Sequence, residues 1–339
     1  MTRTGWRLGV AVLVLMAITA AGCRDEATQA QDGRSLTRLQ LVLNWVPEPE
    51  FGGFYAAKLN GAFASRGLEV EILPGGAGSP SLQMVAAGQA ELGIVSADEI
   101  ILGRARGMKI VGLFAVFQTN PQGIMAHQEQ GFQSLEDLLQ AGRQGKTIQL
   151  AVEPGLPYTR FLEQKYGFDQ VQRVPYTGGI ALFLNNPNLA QQCFVTAEPI
   201  AAERQGAKPQ VFLIAESGYN PYTAVVAARE DFVQQHPDVV KAFVEAAREG
   251  WRAYLDDPGP ANELIAQLNP AMDAQTLAQS VKVQQPLIEN EFTQTAGIGA
   301  MTAQRWEELG QQLVQIGLID HAPPAEECFI DVNQLDGGS

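Results

Sequence analysis

The sequence predicts an α/β chain of two lobes, each a mixed, mostly parallel sheet flanked by helices, with a helical C-terminal part. Three observations predict it. Short β-branched runs alternate with capped helical segments, and this alternation starts afresh after a polar Asn-Pro stretch near residue 120. Beyond about residue 228 the apolar spacing is almost wholly helical.

Leu39–Leu43 (LQLVL) reads as the first strand, Trp45–Gly53 (WVPEPEFGG) as a turn-rich connector, and Phe54–Ala62 as a helix. Leu68–Leu73 alternates like a strand until PGGAG at 74–78 breaks it. Ser79 before Pro80 reads as an N-cap with proline at the first helical position, and Gly88 occupies the place of a C-terminal capping glycine. Glu91–Val95 is the next strand. Ser96-Ala97-Asp98-Glu99 fits a capping box for a helix closing at Gly107, and Lys109–Phe117 follows as a buried strand.

The second unit offers strands at Met125–His127, Thr147–Val152, Val171–Tyr176, Gln192–Val195 and Val211–Ala215. Helices fall between them at Ser134–Gln140, Pro157–Tyr166, around Gly179–Leu184, and at Pro199–Gln205. After Tyr222–Ala228, helical spacing fills Asp231–Tyr254, Pro260–Leu268, Asp273–Glu289 and Thr302–Ile316. No sequence repeat relates the halves, so they are alike in plan only. The chain crosses between units at QTNPQ (118–122) and SGYNPY (217–222), both marked as turns by Asn-Pro. Two such crossings predict a double hinge and clamp-like closure, although the same join links many domain pairs. The first lobe is expected at 37–119 plus 222–325, the second at 120–221, and a C-terminal tail at 326–339.

At the N-terminus, Arg3 and Arg7 precede an uncharged apolar run from Leu8 to Gly22 that stops at Cys23. The run is short for a membrane span and suits a secretory segment. Thr19-Ala20-Ala21-Gly22-Cys23 resembles a bacterial lipobox. That resemblance implies a lipoprotein signal peptide at 1–22, lipidation of Cys23 and a membrane-anchored protein on the periplasmic side of the cell envelope. Small residues before a cysteine also suit ordinary signal cleavage. Residues 23–36 then read as a polar tether.

Hydrophobic residues make up 46% of the chain, enough for two cores, and the net charge is −14. With no basic patch, nucleic acid is excluded as a partner. Cys193 and Cys328 leave two options open, one disulfide or two buried thiols. His127, His236 and His321 are scattered without metal-ligand spacing, so neither metal nor cofactor is expected. No nucleophile–base order stands out, which argues against an enzyme.

Ligands of open α/β sheets bind beyond the carboxyl ends of strands. Four loops hold such positions: Asn44–Gly53, Pro74–Ser81, Ser96–Glu99 and Glu153–Thr159. Gly78 and Ser79 offer backbone N–H groups and a hydroxyl at a helix start, a weak signal because most glycine loops are plain turns. Trp45 and Tyr55 are placed to sandwich a flat ring, the alternative being that Trp45 caps the sheet as a core residue. Tyr158 and Tyr176 face the cleft from the second lobe. Glu48, Glu50, Asp98, Glu153 and Glu198 lie at loops or strand ends, with Arg160 the one cation near a proposed mouth. Aromatics with carboxylates suit a neutral or protonated nitrogen heterocycle or an amine better than an oxyanion. Each carboxylate taken alone also fits a helix cap or a solvated side chain.

The stretches NWVPEPEFGGFYAAKLNGAFASRGLEVEI (44–72), GGAGSP (75–80), MVAAGQAELGIVSADE (84–99), FQTNPQGIMAH (117–127) and SLEDL (134–138) carry a resemblance. QQCFVTAEP (191–199), PDVVKAFVEAAREGWRAY (237–254) and WEELGQQLVQIGLI (306–319) continue it. Together, from Leu39 to Ile319, they resemble the periplasmic binding proteins for thiamine-pyrimidine precursors, sulfonates, taurine and nitrate. The resemblance implies a type II periplasmic binding fold and the solute-binding role of an ABC importer. Its partners would be a small-molecule solute and the permease and ATPase subunits, and the protein would be a monomer. Trp45-Val46-Pro47 looks most like the thiamine-pyrimidine branch; alkanesulfonate, taurine or nitrate binding is the alternative. Related fungal pyrimidine synthases use a histidine and a cysteine-rich segment, where this chain offers only Cys193. It also departs at Glu48-Pro49-Glu50-Phe51, where the branch more often shows Asn and His. The family's cleft residues fall on Trp45, Tyr55, Gly78, Ser79, Asp98, Tyr158 and Glu198, and Glu48 joins them on the connector. A sensor or adhesion lipoprotein on the same fold is a third class.

Overall fold

The computed structural model describes residues 36–335. The expected signal segment at 1–22, the expected lipidation at Cys23 and the expected tether up to residue 35 lie outside the described residues. Among the described residues, ten strands form two five-stranded sheets. In chain order they are β1 Thr37–Val42, β2 Leu68–Leu73, β3 Leu92–Val95, β4 Ile110–Phe117, β5 Gln122–His127, β6 Gln149–Val152, β7 Gln172–Pro175, β8 Leu189–Phe194, β9 Pro209–Leu213 and β10 Thr223–Arg229.

The first sheet runs β2-β1-β3-β10-β4 and the second β7-β6-β8-β5-β9. β1 pairs in parallel with β2 and β3, while β10 is antiparallel to both β3 and β4. β6 likewise pairs in parallel with β7 and β8, and β5 is antiparallel to β8 and β9. Each sheet therefore has one reversed strand, in the fourth place, and in each it is the strand the chain enters on crossing over. The expected mixed, mostly parallel sheets with a helical C-terminal part are observed.

Local sequence explains most boundaries. Ser96 and Glu99 form the capping box of helix Ala97–Ala105, and Gly107 (φ 86°) ends that turn. Pro157 opens helix Pro157–Tyr166, and Asp273 caps helix Ala274–Ile288 by accepting from the N–H groups of Gln275 and Thr276. Two expectations need correction. Ser79 is not an N-cap: the helix starts at Ser81 after Pro80, and the Ser79 hydroxyl donates to the Leu43 carbonyl (3.3 Å). Asp231–Tyr254 is not one helix but Glu230–Gln235 followed by Pro237–Asp256. His236 (φ −133°, ψ 51°) is pushed out of helical conformation by the proline after it.

β4 is buried at all eight positions although it sits at the sheet edge. The C-terminal segment covers that edge. Phe329 bridges Gly112, the Ile330 N–H donates to the Gly112 carbonyl (2.9 Å), and the Ala115 N–H donates to that of Gly299 (3.0 Å). Residues 326–335, expected as part of a tail, are thus packed on the first sheet. Cys328 is buried there and Cys193 in the second sheet, and both are free thiols. Among the described residues no helix is long and apolar enough to cross a membrane.

The two crossings lie side by side. The Asn120 N–H donates to Asn220 Oδ1 (2.8 Å), and Arg305 donates to the carbonyls of Gln118 (2.5 Å) and Asn220 (2.9 Å) while stacking 3.9 Å over the Tyr222 ring. The sheets' layers also touch on both flanks of the seam. On one flank Ser280 donates to the Thr196 carbonyl and Arg204 pairs with Asp273 (3.2 Å). On the other, Arg160 donates to the Ile316 carbonyl (2.6 Å) and Gln164 to that of Gln315 (3.2 Å).

Candidate functional site

The seam is lined where strand ends from both sheets approach, and the connector after β1 supplies its first wall. Pro47 and Pro49 stiffen this connector, and two amides pin it. Asn269 donates to the Pro47 carbonyl (3.0 Å) and Gln284 to that of Pro49 (3.2 Å). Phe51 is fully buried and anchors the segment. Helix Gly52–Leu59 then packs against helix Pro237–Asp256 at unusually close range. A Cβ on Gly52 would lie 2.1 Å from the Tyr254 ring and one on Gly53 2.2 Å from the Trp251 ring. Two glycines at the helix start therefore fix where the connector sits.

Glu48 and Glu50 project from this connector, and Glu198 opens helix Glu198–Arg204 after β8. Glu198 is held on both oxygens, by the Tyr176 hydroxyl (2.7 Å) and the Phe194 N–H (2.8 Å). The three carboxylates act on one another across the seam. Burial, and after it Glu198, pushes Glu48 up to about 8 against the lowering effect of a hydrogen bond from the Trp45 side chain. Burial, then Glu48 and Glu198, holds Glu50 well above the usual carboxylate range. Burial also raises Glu198, offset by its Phe194 and Tyr176 donors. Tyr176 and Cys193 are themselves raised, first by burial and then by Glu198, so both stay neutral. The group can accept N–H hydrogen bonds or balance a positive charge beside the partly buried Trp45 ring. Among the described residues, no group of His, Cys, Asp and Glu is arranged to hold a metal ion.

The structure thus brings together Trp45, Glu48 and Glu198 of the expected residues. It adds Tyr176, expected to face the cleft, and Glu50, expected on the connector, neither of which was among the residues expected to bind the ligand. The remaining residues have other surroundings. Tyr55 is 3% exposed within the first-lobe core, where burial pushes its hydroxyl up to about 12. Gly78 is an exposed turn glycine (φ 72°) with open space around it. Gly75 makes the close approach instead, since a Cβ there would fall 2.2 Å from the Leu43 carbonyl oxygen. Asp98 is buried and engaged by Tyr219 (2.8 Å), by Ser96 and by the Glu99 N–H (3.0 Å). Tyr158 is buried with its hydroxyl on Gln192 (3.0 Å), which also accepts from the Glu153 N–H (2.6 Å).

A concavity of about 440 Å³ opens beside the Glu153–Thr159 loop, with Arg160, Arg173 and Leu318 in its wall. Its guanidinium groups are already committed, Arg160 to the Ile316 carbonyl and Arg173 to Glu163 (3.2 Å).

Comparison with known proteins places these observations. The NMT1/THI5 like family model matches residues 48–261. The chain is 24% identical to the riboflavin-binding protein RibY of Chloroflexus aurantiacus, over 98% of each chain. It is 23% identical to the formylaminopyrimidine-binding protein of Halalkalibacterium halodurans, over 94% of this chain and 97% of that one. It is also 22% identical to a 4-amino-5-hydroxymethyl-2-methylpyrimidine phosphate synthase of Legionella pneumophila, over 86% and 91%. The periplasmic aliphatic sulphonate binding protein of Escherichia coli superposes with a TM-score of 0.65 at 16% identity, over 90% and 96%, which establishes the shared periplasmic-binding-protein fold. With the family model spanning most of both lobes, the chain belongs to the NMT1/THI5-like family.

Proposed function

We propose that this protein is the solute-binding component of an ABC importer and captures a small nitrogen heterocycle, of the thiamine-pyrimidine precursor type, outside the cytoplasmic membrane. The observation that carries this reading is the meeting of Glu48 and Glu50 from one lobe with Glu198 from the other, beside Trp45 and Tyr176. A buried carboxylate recognises the N–H edge of an aminopyrimidine, and an indole supplies a flat apolar partner for its ring. Two full-length relatives whose names specify riboflavin and formylaminopyrimidine as ligands support the heterocycle class. Closure is driven by contacts that the solute makes to both lobes at once. In this proposal Cys23 carries the lipid anchor, the lobes divide near residues 120 and 222, and the protein works as a monomer with permease and ATPase partners.

Binding without turnover fits the chemistry. Cys193 is a buried neutral thiol, and His127 is tied to the carbonyls of Phe183 (2.9 Å) and Asn186 (3.1 Å) while stacked on the Phe183 ring. Neither is free to act on a solute at the seam.

Thermal shift and calorimetric titration with 4-amino-5-hydroxymethyl-2-methylpyrimidine, riboflavin, taurine, an alkanesulfonate and nitrate test the assignment. Stabilisation by a heterocycle, lost in Glu198→Gln, is the expected result. Stabilisation by taurine, the sulfonate or nitrate alone would reverse it in favour of oxyanion binding.

A further inference from the structure

Glu198 already takes a donor on each of its oxygens, and Glu48 takes one from Trp45. Glu50 differs. It is 7% exposed, faces Glu48 and Glu198, and accepts no side-chain or backbone hydrogen bond among the described residues. A carboxylate at that depth without a donor is costly, and two more beside it add repulsion. The Glu-Pro-Glu segment is nonetheless held rigidly, through Gln284 on the Pro49 carbonyl and the buried Phe51. The Glu50 acceptor is therefore fixed in place without a donor among the described residues.

A neutral aminopyrimidine does not supply what is missing. Its amino N–H groups donate to one carboxylate, the role Glu198 fills under the reading above, and its ring nitrogens only accept. Glu48 and Glu50 ask for further N–H donors and for positive charge. A primary ammonium has three diverging donors on a compact cation, the geometry two carboxylates spaced by a single proline can share. A metal ion is disfavoured by the arrangement of the described residues.

We propose that Glu48 and Glu50 form a cation subsite, and that the solute is a nitrogen heterocycle bearing a protonated primary amine that sits between them. This proposal rests on the heterocycle reading and narrows its solute to a cation.

Calorimetric titration at pH 7.5 with three probes sharing one ring separates the two. The probes are 4-amino-5-aminomethyl-2-methylpyrimidine, its N-formyl derivative and the 5-hydroxymethyl analogue. The aminomethyl probe is expected to bind at least about tenfold more tightly than either neutral probe. Glu48→Gln and Glu50→Gln should each erode that preference, with melting curves confirming that the variants fold. Neutral probes binding as tightly as the amine, or a preference unchanged in both variants, would overturn the cation subsite and leave the heterocycle reading standing. Failure of all three probes to bind would overturn both.

Discussion

At the residue scale, position matters more than chemistry at Gly52 and Gly53. Neither adopts a left-handed conformation at the helix start; what they provide is the absence of a side chain against Tyr254 and Trp251. A methyl at Gly53 would meet the centre of a fully buried indole, which has no room to yield. Gly53→Ala is therefore expected to cost about 1–3 kcal/mol, as overpacking of a filled core does, read as a lower urea midpoint at unchanged slope. Because the displaced helix carries the Glu48–Phe51 connector, affinity for the solute should fall as well. An unchanged midpoint would show that helix Pro237–Asp256 shifts freely. Nothing in the local sequence announced this, since a Gly-Gly pair after a turn reads as turn chemistry and its partners lie some 200 residues away (Trp251, Tyr254). Glu50 was obscured for a related reason: a glutamate after a proline in a turn-rich connector looks solvated until the second lobe is placed over it.

At the element scale, the capping and proline signals were legible because they are settled within one turn of chain. Ser96 with Glu99, Ser134, Pro157 and Asp273 all mark helix starts where the structure has them. Legibility failed where a boundary depended on tertiary packing. Helix Glu291–Ala296, capped by Asn290, is too short and polar to show a period, and the 326–335 segment gains its structure only against β4. Contacts between elements of different lobes carry a testable consequence. Arg160, on helix Pro157–Tyr166, donates to the carbonyl that ends helix Ala303–Gln315, a bond that a parting of the lobes would break. Removing this partly buried bond should cost the closed arrangement about 0.5–1 kcal/mol. Arg160→Ala is thus expected to weaken solute binding roughly two- to fivefold by calorimetry, chiefly through faster release in stopped-flow. A loss of a hundredfold or more would instead put Arg160 on the solute.

At the scale of the whole molecule, the two-lobe plan was readable because each sheet repeats the same rhythm and the Asn-Pro crossings interrupt it, whereas the seam's electrostatics required both lobes in place. Shutting the lobes gathers Glu48, Glu50 and Glu198 together, with Tyr176 and Cys193, both neutral, as the other titratable groups acting on them. A carboxyl whose pKa is raised in the folded state binds more protons there than in the unfolded chain throughout the interval between the two values. Stability then falls as pH rises through that interval. For Glu48 the interval runs from 4.5 to about 8, and Glu50 and Glu198 shift in the same direction. Asp169 and Asp273 shift the opposite way, but their contribution is complete once pH exceeds the ordinary carboxylate range. The solute-free protein should therefore melt at progressively lower temperature from pH 5.5 to pH 8, and its radius of gyration should grow over the same range as ionised carboxylates drive the lobes apart. Glu48→Gln is expected to flatten both trends and to raise the melting temperature at pH 8. A saturating cationic heterocycle should remove the slope in the unmodified protein, because each ionised carboxylate then gains a partner. Differential scanning calorimetry and small-angle X-ray scattering across the pH series measure the two quantities. A melting temperature that stays level or climbs toward pH 8 without solute would mean that the three carboxylates remain solvated, and the buried seam would lose its physical basis.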